Sequence, residues 1–477
     1  MHPPDIILAL ISGRKRGNHF YMQKTCMVKE NGGWCWYQDD RVMVDSQTGR
    51  VVFSSVATDG GTLEDPRKGN IDVTSFDPES GQITSRTLKN ILYGKDRNGD
   101  DHNVAALWER PDGHYLVVYT GHNYGSGIHG VDTEPISFYR VSTRPHDASE
   151  WGEEQQFTWP AQGIEGQKRV AVTYSNLHYL KDEGGPRGRL YNIARAGGQI
   201  WQIATSDDWG ESWTYRGAIT RPPPGGRGYS NGYMKFSGNG VDRIDFITTE
   251  AHPREFNNGV YHGVIRNGKT YTTDGTLVDE DLFSFEAPPP ERFTPVFQPG
   301  PEEDGSYHHG WTVELIRDSR GGLHALYLTR FGLEKAPLQG PGGKPGDNDH
   351  RLFYARLEGE VWHSTELARM GEGTHPGEQD YTGLGCIDRR DGNTVYVSTA
   401  FDPRDDRKLP QRELFKGVTE DQGATWTWSP VTEDSPKDNL RPQLAVLNET
   451  QAVLLWLHGT YHNAMKYDLN VMARTVS

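Results

Sequence analysis

The sequence carries one eight-residue pattern twice, first as Ser206-Asp207-Asp208-Trp209-Gly210-Glu211-Ser212-Trp213 and again as Thr419-Glu420-Asp421-Gln422-Gly423-Ala424-Thr425-Trp426. Both copies fit S/T-x-D-x-G-x-S/T-W. In such a pattern the Asp side chain can accept backbone N–H groups inside a tight turn, the Gly permits a positive φ, and the Trp can pack between strands. Two full matches are not expected by chance. The pattern therefore predicts a repeated β unit in which Asp208 and Asp421 are structural.

A hairpin recurs along the rest of the chain, as a strand that enters a polar or Gly-containing turn and leaves as an apolar strand. Its seven turns lie near residues 47–49, 111–113, 182–188, 238–240, 318–322, 390–392 and 448–450. Six intervals between residues 48 and 449 give a period of about 67 residues, which is long for four strands and implies inserted loops. We predict an all-β, seven-bladed β-propeller that forms a single domain over residues 1–477. The two eight-residue stretches resemble the Asp box of sialidase-like propellers.

Composition and charge limit the classes of function. The chain has 50 Lys and Arg against 65 Asp and Glu, which gives a formal net charge of −15. Nucleic acids and anionic membranes require a basic surface, so we expect neither as a partner, and a polyanionic substrate would need a local basic pocket. Although only 34% of residues are hydrophobic, the 51 aromatic residues and 56 glycines are typical of a soluble, turn-rich β protein. We expect it to be a monomer.

The cysteines and the apolar runs indicate little about the cellular compartment in which the protein works. Cys26, Cys35 and Cys386 cannot all pair and show no CxxC spacing, so we expect reduced residues, with neither a disulfide scaffold nor a cysteine zinc site. The longest apolar run, residues 6–11, is too short to span a bilayer and is not a proper signal-peptide core. The protein is therefore either cytoplasmic or has lost a leader.

Two histidines lie in polar settings at the ends of one predicted hairpin. His102 belongs to Asp100-Asp101-His102-Asn103, before the apolar run 104–108, and His122 follows the returning strand. Because a strand, a tight turn and a return strand bring both ends to the same side of a sheet, the two histidines can share a site. Either one alone could equally be a histidine bonded into a loop.

Further candidates lie at the ends of the next two hairpins. Tyr174 begins one predicted strand, and Arg195 ends its partner before Ala196-Gly197-Gly198. An Arg in that position is either a structural ion-pair partner or a receiver of an anion. Tyr233 precedes the fourth hairpin, where by default it is an ordinary strand aromatic, and His252 follows that hairpin.

Several strings resemble the BNR-repeat propellers that include the ulvan lyases of polysaccharide lyase families 24 and 25. They are GWCWYQDDR (33–41), DDHN (100–103), TYSNL (173–177), EAHPR (250–254), GEQDY (377–381), LRP (440–442) and GTY (459–461). The resemblance runs from Trp34 to about Val471 and is more specific for the superfamily than for a substrate. Rhamnose-glucuronate lyases and an α-L-rhamnosidase family belong to the same broad group. Polymer-degrading relatives are exported, which implies a secreted or periplasmic protein.

The resemblance implies roles for individual residues. His102 and His122 match the two histidines of the lyases, Tyr174 matches the catalytic tyrosine, and Tyr233 matches a further active-site tyrosine. The neutralising arginine corresponds to Arg195, although the turn 183–189 is longer here than in the family. Asn103 and Arg254 are candidate substrate-binding residues. His252 and His262 are candidate ligands of a structural Zn²⁺ or Ca²⁺, a weak signal without a third ligand.

These residue types suit β-elimination at a 4-linked uronate in an anionic polysaccharide or oligosaccharide. A base removes the C5 proton, an acid protonates the oxygen that leaves C4, and cationic groups neutralise the carboxylate. The scheme requires no cofactor. One alternative is an exo-α-L-rhamnosidase on the same fold, which would act on rhamnose capping glucuronate and use a histidine rather than a carboxylate pair. The other is a non-catalytic glycan-binding propeller. A conventional glycosidase would use two carboxylates, and no motif singles out such a pair. A sialidase is less favoured because no arginine triad is evident.

Overall fold

The computed structural model describes residues 24–59, 65–92, 99–122, 135–159, 171–224, 226–227, 230–254, 256–301, 305–331, 349–375 and 380–477. Residues 1–23, which enter the single-domain prediction and contain the apolar run 6–11, lie outside these ranges, as do residues 377–379 of the GEQDY string. The described residues form 31 β-strands and three short 3-10 turns, Asp101–Asn103, Gly197–Gln199 and Pro290–Arg292. No described helix has the length and apolar character needed to cross a membrane.

The strands form seven antiparallel sheets, here called blades 1 to 7. Blade 1 consists of β2 (Val42–Val44), β3 (Val51–Val56), β4 (Asn70–Phe76) and β5 (Ile83–Asn90). Blade 2 consists of β6 (Ala106–Glu109), β7 (Tyr115–Thr120), β8 (Ile136–Arg144), β9 (Asp147–Trp151) and β10 (Gln155–Thr158). Blade 3 consists of β11 (Thr173–Leu180), β12 (Arg189–Ala196), β13 (Ile200–Ser206) and β14 (Thr214–Ala218).

The second half of the ring repeats this plan. Blade 4 consists of β15 (Met234–Gly238), β16 (Ile244–Thr248), β17 (Val260–Arg266), β18 (Lys269–Tyr271), β19 (Leu277–Asp279) and β20 (Thr294–Phe297). Blade 5 consists of β21 (Tyr307–Arg317), β22 (Leu323–Phe331), β23 (His350–Glu358) and β24 (Val361–Gly371). Blade 6 consists of β25 (Gly385–Ile387), β26 (Thr394–Phe401), β27 (Lys408–Val418) and β28 (Thr427–Pro430). Blade 7 contains β29 (Asp438–Val446), β30 (Ala452–Asn463) and β31 (Lys466–Val476).

The N-terminal strand closes the ring. Strand β1 (Cys26–Lys29) pairs with β31, with Cys26 opposite Ala473 and Met27 opposite Met472, so it supplies the outer strand of blade 7. The first strand of each blade contacts the first strand of the next, and β29 contacts β2. Closure of this kind joins the two ends of the chain and removes the open edge between the first and last blades. The predicted seven-bladed β-propeller is confirmed.

All seven predicted turns join the first two strands of a blade, β2 to β3 in blade 1 through β29 to β30 in blade 7. These turns share one end of the ring because every blade is entered in the same direction. The starts of the first strands and the ends of the second strands share the opposite end. Residues at those strand ends are therefore gathered over one face, which we call the upper face.

The two repeated stretches form the expected tight turns. Asp208 Oδ1 accepts from Ser212 N at 2.9 Å, and Asp421 Oδ1 accepts from Thr425 N at 2.8 Å. The pattern glycines have φ of 87° and 92°. The Trp213 ring stacks on Phe157 of blade 2, so this turn also joins neighbouring blades. Since both turns connect the third and fourth strands of a blade, they lie at the end opposite the upper face.

Residues 31–41, here called the axial segment, pass through the centre of the ring. Trp34 Nε1 donates to Arg441 O of blade 7 at 3.3 Å, and Trp36 Nε1 donates to Thr382 O at 2.5 Å before blade 6. The Tyr37 ring stacks on Trp311 of blade 5, with 3.6 Å between ring centroids. Buried aromatic rings contribute large apolar contact areas. The axial segment therefore stabilises the packing of blades 5, 6 and 7 around the ring axis. Cys26, Cys35 and Cys386 are free cysteines in this structure.

Candidate active site

The five predicted catalytic residues all lie at the upper face of blades 2, 3 and 4. His102 is in the 3-10 turn before β6, His122 follows β7, Tyr174 begins β11, Arg195 is near the end of β12, and Tyr233 precedes β15. Each is therefore placed by the start of a first strand or the end of a second strand. The following contacts connect all five into one cluster.

Asp100 organises the two histidines. It caps the 3-10 turn by accepting from His102 N at 3.0 Å, and the same Oδ1 lies 2.7 Å from His102 Nδ1. Its other oxygen, Oδ2, lies 2.8 Å from His122 Nδ1. The two imidazole rings stack with 4.1 Å between centroids and 11° between planes. One buried carboxylate thus fixes the orientation of both rings.

The two histidines have opposite electrostatic character. Burial, followed by the positive charge of His102, lowers the pKa of His122 to about 4. Burial alone would also lower the pKa of His102, but its interactions with Cys35 and Tyr174, and then with the carboxylates of Asp100 and Asp101, raise it well above its ordinary value. Despite burial, the two histidines hold the pKa of Asp100 below its usual range. Near neutral pH the pair therefore consists of one imidazolium and one neutral imidazole.

Tyr174 has an unusual backbone conformation. Its φ is 60°, and the register of β11 against β12 shifts between Thr173 and Asn176. A bulge of this kind re-aims a side chain and is common beside active sites. The Tyr174 ring lies 5.4 Å from the His102 ring, and Cys35 Sγ lies 3.8 Å from Tyr174 Oη. Burial, followed by Cys35, raises the pKa of Tyr174 well above its ordinary value, so its hydroxyl keeps its proton.

Arg195 lies between two tyrosine rings. Its guanidinium carbon is 4.6 Å from the centroid of Tyr174 and 5.2 Å from that of Tyr233. Arg195 Nη1 donates to Tyr233 Oη at 3.0 Å and to Ser230 Oγ at 3.4 Å. All three side chains are nearly fully buried. The arrangement holds a planar cation in a fixed orientation beside the Tyr174 hydroxyl.

The remaining candidates have supporting contacts. Asn103 Oδ1 accepts from His122 N at 2.7 Å, so this side chain orients the histidine. His252 lies beside Tyr233, with 5.6 Å between ring centroids, and its Nδ1 accepts from Arg254 N at 3.1 Å. Burial, followed by Arg254, lowers the pKa of His252 well below its ordinary value. It is therefore neutral.

The two candidate metal ligands, His252 and His262, have protein partners in this structure, and the metal site stays a prediction. His262 lies within strand β17, where its Nδ1 is 2.8 Å from Thr273 Oγ1 and its Nε2 is 3.2 Å from Asp245 Oδ1. Both of its ring nitrogens are thus engaged, and His252 packs against Tyr233 and Trp311 instead. His252 was a candidate because it matches a family histidine near a metal-binding or substrate loop, and His262 was a possible second ligand.

Three clusters within the described ranges have donors close enough for a metal ion. They are Asp100, His102 and His122; Cys35, Asp101 and His102; and Asp45, Glu109 and His146. The first two overlap the candidate active site, and the third lies at the turns opposite the upper face. None contains His252 or His262.

Sequence reasoning missed part of the site. Asp100 lay in the DDHN string but was not assigned a role, and only its position next to His102 could have suggested one. Cys35 lay in the GWCWYQDDR string without an assigned role, and Trp311 lay in none of the quoted strings. Both reach the cluster through contacts between distant parts of the chain. Tyr461 Oη donates to Asp101 Oδ2 at 2.8 Å and was also missed.

No family model matches the sequence, and no curated protein matches it. The fold nevertheless has solved counterparts. A structure described as a new family of polysaccharide lyase, PL25 ulvan lyase, matches with a TM-score of 0.60 and 15% identity, over 95% of this chain and 98% of its own. The same lyase bound to -[GlcA(1-4)Rha3S]- matches with a TM-score of 0.59 and 15% identity, over 94% and 97%. Polysaccharide lyase Uly1 matches with a TM-score of 0.55 and 13% identity, over 96% and 100%. At these identities the likeness is one of fold, and this chain shares the seven-bladed β-propeller of those structures.

Proposed function

We propose that the protein is a polysaccharide lyase that cleaves a rhamnose- and uronate-containing glycan by β-elimination at a 4-linked uronate. The observation that carries the proposal is the chain of contacts His122–His102–Tyr174–Arg195–Tyr233 at one end of the ring. It combines a neutral imidazole, an imidazolium, a protonated phenol and a guanidinium. These are the groups that β-elimination next to a carboxylate requires.

His122 is the base in this scheme. Its Nδ1 faces Asp100, which leaves Nε2 as the nitrogen that can accept the C5 proton. Its side chain is 12% exposed against 7% for His102, so it is the more accessible of the two rings. The lowered pKa of His122 keeps it unprotonated at neutral pH.

Arg195 and His102 are the neutralising groups. When the C5 proton leaves, negative charge develops on the uronate carboxylate, and a fixed guanidinium and an imidazolium can stabilise it by charge-assisted hydrogen bonds. Both groups are already oriented, by Tyr233 and Asp100 respectively. Because the protein has a net charge of −15, it requires local cations to bind an anionic polymer, and Arg195 and His102 supply them.

Tyr174 is the acid. As the C4–O bond breaks and the C4=C5 double bond forms, its hydroxyl proton passes to the leaving oxygen. The raised pKa of Tyr174 keeps that proton available. The proton taken by His122 is released to solvent, and Tyr174 is reprotonated from solvent, so the cycle needs no cofactor. The ulvan lyase whose structure contains -[GlcA(1-4)Rha3S]- supports a glucuronate and rhamnose polymer as the substrate to test first.

The carboxylates of the site favour a lyase over a conventional two-carboxylate glycosidase. A conventional glycosidase uses two carboxyl groups that flank the scissile bond. Here Asp100 contacts both histidines, and Asp101 is held by Tyr461 and His102. Neither is placed to act as a nucleophile on a sugar.

The test is to incubate the enzyme with ulvan, gum arabic and other glucuronate-containing glycans, and to record both ultraviolet absorbance and new reducing ends. A lyase creates both together, because each cleavage leaves a 4,5-unsaturated uronate. The Tyr174→Phe variant, purified in the same way, excludes a contaminating lyase. New reducing ends without absorbance would establish a hydrolase instead. Glycan binding without any product would establish a binding module.

A further inference from the structure

Three side chains with metal-binding atoms converge at the end of the ring opposite the upper face. Asp45 follows β2, Glu109 ends β6, and His146 lies between β8 and β9, so the three residues connect blade 1 to blade 2. Their donor atoms all lie within 4.8 Å of one another. We call these three residues the lower triad. The lower triad shares no residue with the candidate active site.

His146 presents one nitrogen to both carboxylates of the lower triad. Its Nδ1 lies 2.8 Å from Asp45 Oδ2 and 3.4 Å from Glu109 Oε1. A ring nitrogen carries at most one hydrogen, so it can serve one carboxylate fully but not both. Among the described residues, His146 is the only basic side chain within 4 Å of either carboxylate. The lower triad therefore contains more negative than positive charge.

This excess negative charge is largely removed from solvent. The side chains of Asp45, Glu109 and His146 are 0%, 16% and 21% exposed. Carboxylates that are buried in proteins are paired with cations or coordinate metal ions, because an isolated buried charge is strongly destabilising. A divalent cation at the lower triad would balance both carboxylates at once.

The separations between the donor atoms fit a metal ion. Nitrogen and oxygen ligands lie about 2.0–2.1 Å from Zn²⁺, which places the ligand atoms of a tetrahedral site about 3.3 Å from one another. The two observed separations from His146 Nδ1, 2.8 and 3.4 Å, lie on either side of that value. An imidazole with two carboxylates also favours Zn²⁺ and related transition metals over Ca²⁺ and Mg²⁺, which prefer oxygen ligands alone.

Neighbouring groups orient the two carboxylates. Asp45 Oδ2 accepts from Tyr115 Oη at 2.6 Å, and Asp45 Oδ1 accepts from Thr48 N at 2.6 Å. Glu109 Oε2 accepts from Ser46 N at 2.9 Å, and Glu109 Oε1 accepts from Ser46 Oγ at 2.6 Å. Hydrogen bonds of this kind hold ligating carboxylates in place in metal sites.

The His146 ring is seated against Gly113. Gly113 O accepts from His146 N at 2.8 Å. A Cβ atom at residue 113 would lie 2.4 Å from His146 Nε2, so a side chain at this position would displace the ring. The glycine therefore permits the ring orientation that directs Nδ1 to the two carboxylates.

The lower triad is reached from solvent through a cleft of about 550 Å³. Glu109 and His146 line this cleft, together with Ser46, Trp108 and Tyr179. An ion therefore has a path of entry, and water can complete its coordination.

We propose that Asp45, Glu109 and His146 bind a divalent transition-metal ion, with Zn²⁺ as the simplest case. The ion bonds to Asp45 Oδ2, Glu109 Oε1 and His146 Nδ1, with the ring proton of the histidine on Nε2 and water as a further ligand. It joins the turn after β2 to β6 and to the turn between β8 and β9, so it stabilises the contact between blades 1 and 2. The site lies at the opposite end of the ring from the candidate active site and does not depend on the proposed reaction.

The first test measures metal binding without turnover, so its result stands whether or not the protein is a lyase. The full chain is treated with EDTA, and thermal unfolding is then recorded as ZnCl₂ or MgCl₂ is added. We expect a Tm that rises and saturates with Zn²⁺, with a smaller rise in Mg²⁺. Crystals soaked in ZnCl₂ should show an anomalous peak in bonding contact with Asp45, Glu109 and His146. No peak at the lower triad would overturn the proposal in favour of an ion pair alone.

Substitutions assign the effect of Zn²⁺ to the lower triad. Glu109→Gln keeps the size of the side chain and removes its charge, whereas His146→Asn removes the imidazole and introduces a residue that tolerates the φ of 56° at this position. Each variant should bind Zn²⁺ at least about 10-fold more weakly and lose the anomalous peak. His114→Asn is the matched control, because His114 Nδ1 lies 3.3 Å from Asp112 Oδ1 at the same end of the ring but outside the lower triad. This control should retain the full response, and an unchanged Zn²⁺ response in both Glu109→Gln and His146→Asn would contradict the assignment.

Discussion

The imidazole rings of His102 and His122 stack 4.1 Å apart and direct their Nδ1 atoms to the two oxygens of Asp100. Two imidazolium ions at this separation repel each other, and one carboxylate can fully compensate only one of them. Asp101 Oδ1 also lies 2.8 Å from His102 Nδ1, so this second carboxylate favours the positive charge on His102. The geometry therefore assigns different protonation states to two chemically identical side chains.

The pH dependence of turnover should reflect the different protonation states of His102 and His122. His122 acts when unprotonated, and its pKa is lowered to about 4, so activity should fall only as the pH drops through that value. His102 acts when protonated, and its pKa is raised, so activity should persist above the ordinary histidine value of about 6.5 and fall at higher pH. The measurement is kcat/KM from ultraviolet absorbance across pH. An acidic limb near 6.5 would show that His122 is not the base.

Replacing Asp100 by Asn should lower the pKa of His102 and release both histidine rings from their fixed orientation. Without the carboxylate, His102 loses a source of the negative charge that raises its pKa, so the alkaline limb of the profile should move to lower pH. Turnover should also fall by at least about 10²-fold because neither ring is held in place. Asp112→Asn, in the turn at the other end of β6, is the matched control and should leave the profile unchanged. If Asp100→Asn lowers turnover without moving the alkaline limb, the carboxylate only orients the rings.

Tyr174→Phe removes one hydroxyl and retains the aromatic ring that packs against Arg195. Loss of a well-placed acid should lower turnover by about 10²- to 10⁴-fold, with Tm and substrate affinity nearly unchanged. Turnover is followed by ultraviolet absorbance, and affinity by binding to the uncleaved polymer. Turnover within threefold of the native enzyme would assign the acid to another group, with Tyr233 the next to replace.

The sequence was informative about local features. The seven turns were recognisable because a hairpin requires adjacent strands and turn residues between them, and each turn joins the first two strands of its blade. His102, His122, Tyr174, Arg195 and Tyr233 could be grouped because strand ends in successive blades share one face of a ring. Direction within a hairpin was enough to place them on that face, whereas their proposed roles came from the resemblance to the lyases.

Contacts between distant parts of the chain could not be predicted in this way. Cys35 reaches Tyr174 from 139 residues away, and Tyr37 stacks on Trp311 of blade 5. No local periodicity shows that residues 31–41 would enter the ring axis. The side-chain direction of His262 likewise depends on the register of β17 against β16, which no local pattern shows.

Asp208→Ala should affect stability and leave catalysis unchanged. The Asp208 carboxylate accepts from Ser212 N and from the hydroxyls of Ser206 and Ser212 at the end opposite the upper face. Loss of these partly exposed hydrogen bonds should lower the free energy of unfolding by about 1–2 kcal/mol. Chemical denaturation measures the change, and kcat measured well below the Tm should equal that of the native enzyme. A loss of kcat with unchanged stability would contradict the structural role.

Turnover should depend on the planar shape of the Arg195 guanidinium as well as on its positive charge. Its planar guanidinium lies between the rings of Tyr174 and Tyr233 and donates to Tyr233 Oη. Arg195→Lys keeps the charge but loses the planar fork that a carboxylate can accept in bidentate fashion. We expect turnover to fall by about 10²-fold in Arg195→Lys and by about 10³-fold or more in Arg195→Ala. Ultraviolet absorbance gives the rates, and added guanidine should restore part of the activity of Arg195→Ala.

Two other arginines test whether Arg195 is the right one. Arg189, at the opposite end of β12, pairs with Asp207 at 2.7 Å, so Arg189→Ala should leave turnover unchanged. Arg254 lies beside His252 at the upper face, so Arg254→Ala should affect KM more than kcat if it contacts the polymer away from the cleavage point. Near-normal cleavage by Arg195→Ala together with a large loss in Arg254→Ala would move the neutralising role to Arg254, because both cations lie at the upper face and only one can face the uronate carboxylate at the cleavage point.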